Sequence, residues 1–246
     1  MAGACSSRAE PAARDAGLCN DLAESLAGLT AERWITDRDD GTSGVARPRA
    51  VVEMTLEPAS DAAPDAGRDP RKRRLEIGAP APAGGAFART GEDPAVFVLP
   101  RGVEAAALRL LVDRDSLGAP PAKLRKVTLT KADGARLVMV REGEAWRLAE
   151  PAGDPAAAAK VAALVATLDD LSAETAVAVG PPAKEYGLDR PAHKLLLEGE
   201  DMPPAVLGFG AADSLRGLSV RYARRQGVDA TFAIARSKLR ALDDVW

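Results

Sequence analysis

Apolar residues recur at Val161, Leu164, Val165, Leu168 and Leu171, a spacing of three and four that turns one face of a helix inward. Asp154-Pro155 just ahead supplies an N-cap and a first-turn proline. Further on the period shortens to two. The runs 195–197, 205–207, 218–222 and 232–234 are separated by Tyr186-Gly187-Leu188-Asp189-Arg190-Pro191, by Gly208 and by Gln226-Gly227, and read as strands of an antiparallel meander. A closing helix from Ser237 carries Leu239 and Leu242. Gly208-Phe209-Gly210 and Gly84-Gly85 read as hairpin turns, since neither opens a helix as a phosphate cradle must.

The first half answers this pattern block by block and in the same order. Ala9-Glu10-Pro11-Ala12 answers Ala149-Glu150-Pro151-Ala152, and Leu22, Leu26 and Leu29-Thr30-Ala31-Glu32 answer Leu164, Leu168 and Leu171-Ser172-Ala173-Glu174. Gly44-Val45-Ala46-Arg47-Pro48 answers Gly187 to Pro191, and Leu75-Glu76-Ile77-Gly78 answers Ala205-Val206-Leu207-Gly208. Phe87-Ala88-Arg89 answers Tyr222-Ala223-Arg224, Ala95 to Leu99 answers Ala230 to Ile234, and the helix around Leu108, Leu111 and Asp113 answers that around Leu239, Leu242 and Asp243. Between the copies, Leu117-Gly118-Ala119-Pro120-Pro121 reads as a stiff linker. Three period-two runs follow, 127–130, 137–140 and 146–148, turning at Asp133-Gly134 and Glu142-Gly143-Glu144, and they have no counterpart ahead of Ala9.

The expected fold is therefore α+β: two tandem repeats, each an amphipathic helix packed on an antiparallel β-meander with a short closing helix. The boundaries are 1–116 for a first repeat lacking its opening strands, 117–122 for a Pro-rich linker, and 123–246 for a complete second repeat. Leu18, Leu22, Leu26 and Leu29 are expected on the packing face of the first helix.

Five motifs in order over Val127 to Trp246 carry a family resemblance: Glu144-x-Trp146-Arg147-Leu148, the Ala-rich helix behind its cap, Leu171-x-Ala173-Glu174, the Tyr186-Gly187-Leu188-Asp189 turn and Tyr222-Ala223-Arg224. Together they resemble the bacterial family called domain of unknown function 4340, with a weaker match over Glu10 to Asp115. The resemblance implies an envelope protein, usually tethered by one N-terminal membrane helix and encoded beside components of gliding-type ABC transporters, with no activity established for the family. This chain departs from the pattern in having no such tether, in Thr42-Ser43 where the first copy should place a Tyr-containing turn, and in an insertion over 59–74.

A 46% hydrophobic content suffices for a core, and 4% aromatic content means that Leu, Val and Ala must build it. The formal charge of −3 argues against general nucleic-acid binding. Cys5 and Cys19 cannot form a disulfide framework and leave the redox compartment undecided. No run approaches the ~20 apolar residues of a spanning helix, so the chain as given is expected to be soluble.

Candidate chemistry is sparse. His193, the one histidine, opens a strand with no Ser, Cys or Asp motif presenting a partner, and its counterpart is Ala50, so it reads as an edge-of-sheet surface residue. One His and two cysteines cannot supply a zinc site. Asp37, Asp39 and Asp40 before Gly41 lack the terminal glutamate of a calcium loop and read as an acidic turn, while Asp169, Asp170 and Glu174 read as a solvated face. Arg68, Arg71, Lys72, Arg73 and Arg74 concentrate five positive charges in the insertion, a candidate contact for anionic lipid headgroups or an acidic partner surface.

No catalytic, cofactor or metal residue is expected. The expected function is that of a non-enzymatic, extracytoplasmic accessory or scaffold protein of a membrane complex such as an ABC transporter at the inner membrane. The alternative is a binding module for a small or polymeric envelope ligand in a cleft between the repeats, lined by Arg216, Arg221, Arg224 and Arg225.

Overall fold

The computed structural model describes residues 14–56, 71–91, 93–120, 122–151, 157–169 and 171–246. It is mostly β, with two antiparallel sheets and short helices. The chain divides into two compact units, Gly17–Arg109 and Leu110–Trp246, the second also taking in residues 14–16.

In the first unit, helix α1 (Ala16–Ala27) precedes strands β1 (Arg33–Thr36), β2 (Ala50–Leu56), β3 (Arg71–Pro80), β4 (Ala86–Thr90) and β5 (Val96–Leu99), followed by helix α2 (Arg101–Ala107). The sheet order is β1-β5-β4-β3-β2. Period-two alternation turns Leu75, Ile77, Ala86, Ala88, Phe97 and Leu99 to one face, where they form a buried cluster. Leu26 of α1, Leu29 beyond its end, and Val103 and Ala107 of α2 pack against that cluster.

The second unit opens with strands β6 (Leu124–Lys131), β7 (Arg136–Glu142) and β8 (Ala145–Glu150), as their alternation predicts. Helix α3 (Ala157–Asp169), β9 (Thr175–Val179), β10 (His193–Gly199), β11 (Met202–Leu215), β12 (Leu218–Arg225), β13 (Ala230–Ala235) and helix α4 (Arg240–Asp244) follow. The order is β8-β7-β6-β10-β11-β12-β13-β9. One buried cluster joins Leu129, Met139, Leu195, Leu207, Phe209, Phe232 and Ile234 of the sheet to Val161, Leu164, Val165 and Leu168 of α3 and Leu242 of α4. The helical spacing of the four α3 residues is thus used as burial.

Strands β9 to β13 follow the same spatial order, β10-β11-β12-β13-β9, as β2-β3-β4-β5-β1. A bulge recurs at the same place: β3 slips against β4 between Ile77 and Pro80, and β11 against β12 between Phe209 and Ala212. At the bulge a loop lies directly on the strand. Gly44 and Gly187 take φ of 72° and 62°, and a Cβ on Gly78 or Gly210 would collide with the carbonyl oxygen of Ser43 or Tyr186. Ala79 N donates to Ser43 O at 2.8 Å in this clasp.

Several expectations are corrected. Gly208-Phe209-Gly210 is no hairpin turn but the middle of the 14-residue β11, glycine being needed where the clasping loop meets the strand backbone. Gly78 consequently matches Gly210 rather than Gly208. Strands β1 and β9 were not read from sequence, although the Leu-x-Ala-Glu blocks immediately precede both. The segment 117–122 does not behave as a spacer: Leu117 is 0% exposed, Ala119 is buried, and both sit in the core of the second unit. Asp154-Pro155, Ala9 to Ala12 and Cys5 lie outside the described residues.

Candidate functional site

The two sheets differ most at their edges. In the first unit β1 exposes Trp34 by 55% and Ile35 by 40%, and Val51 on the opposite edge strand β2 is 40% exposed. The register places Trp34 opposite Phe97, just as Ala176 stands opposite Phe232 in the second unit. Ala176 is buried in the same cluster as Leu117, whereas Trp34 is exposed, its Nε1 donating to Asp37 Oδ1 at 3.1 Å. A large apolar side chain is thus displayed at a position that is buried in the sister unit.

Beside β2 runs the basic stretch. Arg68 lies outside the described residues, and Arg71, Lys72, Arg73 and Arg74 belong to β3 rather than to a loop, paired in register with Leu56, Thr55, Met54 and Glu53. Arg74 is engaged on both sides, by Glu53 at 2.9 Å and Glu76 at 3.0 Å. Glu76 also accepts from Arg89, and these bonds hold its carboxyl below the usual carboxylate range. Lys72, Arg73 and Arg74 are all exposed, Arg74 with its guanidinium committed to Glu53 and Glu76.

His193 is not at a sheet edge. Strand β10 lies between β6 and β11, and the side chain is 7% exposed with Nδ1 3.0 Å from Arg221 Nη1. Because Arg221 can only donate, Nδ1 is the acceptor and the proton sits on Nε2. Burial first, and the charge of Arg221 second, push the imidazole below its ordinary pKa, with Asp243 and Asp133 acting against them and Lys131 with them. The neutral ring works as an acceptor that orients Arg221, which also reaches Asp243 at 3.5 Å. The first unit has Ala50 and Ala86 at the matching register positions.

Arg216, Arg221, Arg224 and Arg225 do not converge on one pocket. Arg216 sits at the β11–β12 turn with φ 52°. The pleat of β12 sends Arg221 and Arg225 to one face and Arg224 to the other. Arg225 donates to Gly118 O at 2.9 Å, and Arg224 to Gly180 O and to Asp229, each at 2.7 Å. Their guanidinium groups tie loops to the sheet.

Other polar clusters are likewise structural. Asp39 and Asp40 accept from Gly41 N, Thr42 N and Oγ1, and Ser43 Oγ, so the acidic turn uses its carboxylates to hold itself. No group of three or more His, Cys, Asp or Glu fit to hold a metal occurs among the described residues. Tyr222 donates to Asp213 at 2.6 Å and is pushed up to about 12 by that bond, and its ring lies 4.5 Å from that of Tyr186. An open groove of about 490 Å³ between α3 and α4 is lined by Ala159, Ala163, Thr167, Lys238 and Ala241, but Lys238 is held by Ser172 and by Glu174 at 3.0 Å. No helix of the described residues is long and apolar enough to cross a membrane.

Tyr186 and Tyr222 belong to two of the motifs noted in the sequence, and they form the clasp and the aromatic contact behind it. A family model described as Domain of unknown function (DUF4340) matches residues 8–145 and 146–244. The chain belongs to the DUF4340 family. No curated protein and no solved structure matches it. The two DUF4340 segments meet at 145/146, one residue into β8, which pairs with β7 in one sheet through Leu148 and Met139. The boundary between segments is therefore not a boundary in the fold, where the compact units divide at 109/110. In the first DUF4340 segment Ser43 stands for Tyr186 in the clasp, its Oγ donating to Asp39 at 2.6 Å, so the departure at Thr42-Ser43 loses the ring but keeps the backbone contact.

Proposed function

We propose that this DUF4340 protein is a non-enzymatic scaffold of a membrane complex on the extracytoplasmic face of the inner membrane, built of two repeats that each set a helix on an antiparallel meander. The observation that carries the scaffold reading is the pair of strands β1 and β2, which end the first sheet with Trp34, Ile35 and Val51 exposed. Apolar side chains on unshared edges favour a protein partner over a small molecule. The perturbed groups act as ties instead: His193 to Arg221, Tyr222 to Asp213, Glu76 to Arg89. The membrane setting draws on the family resemblance, and the row of Lys72 and Arg73 on β3 suits an anionic headgroup surface alongside the partner.

The test is photocrosslinking in the living source cell, with a photoreactive residue at Trp34 or Val51 and a control at Lys184. Crosslinks from the edge positions to an integral membrane protein, absent from the control, support the reading. A chain recovered from the cytoplasm, or crosslinks no different from the control, overturns it.

A further inference from the structure

β2 and β10 hold the same place in their sheets, each following the clasp and pairing with a long bulged strand. Their other edges differ. β10 pairs along its length with β6, from His193 opposite Lys131 to Gly199 opposite Leu124, and β6 brings β7 and β8 with it. β2 ends its sheet, and among the described residues no strand pairs with its outer side. We propose that the outer edge of β2 is a strand-addition site for an extended segment of a separate partner polypeptide. The segment runs antiparallel to Ala50–Leu56, apolar opposite Val52 and Met54 and polar to basic on the other face. This rests on the scaffold reading and names the edge through which it works.

The ladder identifies the groups that bind. Gly91 N donates to Arg74 O at 2.8 Å, so Arg74 and Glu76 turn their backbone polar groups toward β4. Alternation along an antiparallel strand then turns those of Leu75 and Ile77 toward β2, where they meet Val52 and Ala50. Val51, Glu53 and Thr55 are left with N–H and C=O aimed outward. The same reasoning from Gln226 N donating to Val206 O gives Lys194, Leu196 and Glu198 on β10, whose register partners on β6 are Thr130, Thr128 and Lys126.

The occupant of β10 specifies what β2 takes. Leu129 and Val127 stand opposite Leu195 and Leu197 and join their buried cluster; the matching Val52 and Met54 pack partly buried against the first sheet's cluster and leave room for similar neighbours. On the other face Lys126 pairs with Glu198 at 2.9 Å; Thr55 holds the matching place on β2, and Glu53, two residues before it on the same face, adds a carboxylate that holds Arg74 and has its side chain 74% exposed. Among the described residues the strands that pair in this way, β6 to β8, are committed to β10, and the site is assigned to a segment of another polypeptide. Main-chain bonds supply affinity in such pairing and alternate side chains supply selection.

The probe is a synthetic peptide of residues 123–143, the sequence of β6 and β7, added to the full chain. Amide exchange at Val51, Glu53 and Thr55 should slow by about tenfold or more at saturation. Glu53→Pro removes an outward donor that the β2–β3 ladder does not use, and should weaken binding about tenfold, while Glu53→Ala keeps most of it. A peptide N-methylated at Thr128 should likewise fail to bind the unaltered protein, which keeps the test decisive if the proline variant does not fold. Unchanged exchange at saturating peptide overturns the site. So does protection of the three amides in the free monomer, which would mean that the chain covers its own edge, and so does protection that tracks dimer formation, which would mean a second copy. Edge crosslinks to a membrane protein that persist when the peptide does not bind would leave the scaffold reading standing and remove only this site.

Discussion

One unit of this DUF4340 chain has a sheet of five strands and the other a sheet of eight, although five strands of each run in the same order. The shared part is fixed by backbone geometry. The bulge, the positive φ at Gly44 and Gly187, and the close approach at Gly78 and Gly210 recur even where Ser43 replaces Tyr186. The differing part is what covers the edges. Strands β6 to β8 shield β10, and Leu117 shares a buried cluster with Ala176, whereas β2 and β1 expose Val51 and Trp34. In this chain the clasp is architecture and the edge is where the copies diverge.

The comparison breaks most directly at matched core positions. Phe232 is 0% exposed and pairs with Ala223, while Phe97 pairs with Ala88 and is 7% exposed. Phe232→Ala should cost about 3–5 kcal/mol, and Phe97→Ala about 3 kcal/mol or less because the smaller cluster around it collapses more readily. Native-state amide exchange, which reads each unit separately, should show this difference, together with faster opening of β2 to β5 than of β10 to β13 in the unaltered protein. Equal costs and equal protection would mean that the three extra strands add nothing to the second unit.

The clasp should show no such difference. Gly78→Ala and Gly210→Ala both drive a Cβ into a backbone carbonyl that cannot swing aside, so each should destabilise its own unit by about 2–4 kcal/mol. A large cost in one unit and none in the other would mean that only one loop is held against its strand.

A smaller effect separates the units by pH. His193 has its pKa held below 6.5 in the fold by burial and by Arg221, so on acidification the unfolded chain takes up the proton first. The stability that depends on the neutral ring is present above about pH 6.5 and is lost as pH falls toward the folded-state value. Between about pH 7 and about pH 5 the second unit should weaken, His193→Gln should flatten that slope, and the first unit, with Ala50 in place of the histidine, should not share it. Unfolding curves at several pH values decide this, and an unchanged slope in His193→Gln would remove the histidine from the account.

Sequence patterning shows most of the strands because alternation and Gly turns are local signals: β6, β7, β8, β10, β12 and β13 follow the apolar runs closely. β1 and β9 escape because they are short edge strands whose exposure hides their alternation, as the residues Arg33 to Thr36 show. β11 is legible only at 205–207, because Gly208 and Gly210 signal a turn, while the reason for glycine, a loop lying across the strand, is a contact between distant residues. His193 and Leu117 are misjudged for the same cause. What buries them is the placement of β6 on β10 and the return of residues 114–119 to the core of the second unit, and neither follows from residues nearby in sequence. The open edge at β2 is legible only by setting one half against the other, since among the described residues β10 has a neighbour in β6 and β2 has none on its outer side.

The smallest expected effect concerns the basic row. Sequence alone places it in an insertion, but Lys72 and Arg73 lie on β3, opposite Thr55 and Met54 of β2, and both are exposed. Strand pairing there depends on the backbone, so changing these two side chains to serine should shift stability by less than about 0.5 kcal/mol. Arg74 is best left in place, because its bonds to Glu53 and Glu76 would confuse a loss of charge with a loss of structure. Binding to vesicles of anionic phospholipid at low salt should fall, since each basic residue near such a surface contributes about 1 kcal/mol. The matching strand β11 opens with Met202-Pro203-Pro204-Ala205 and has no such charges, so the second unit serves as an internal control. Vesicle binding unchanged in the double variant would assign the row to solvation of the strand and leave the first unit's edges as its distinguishing surface.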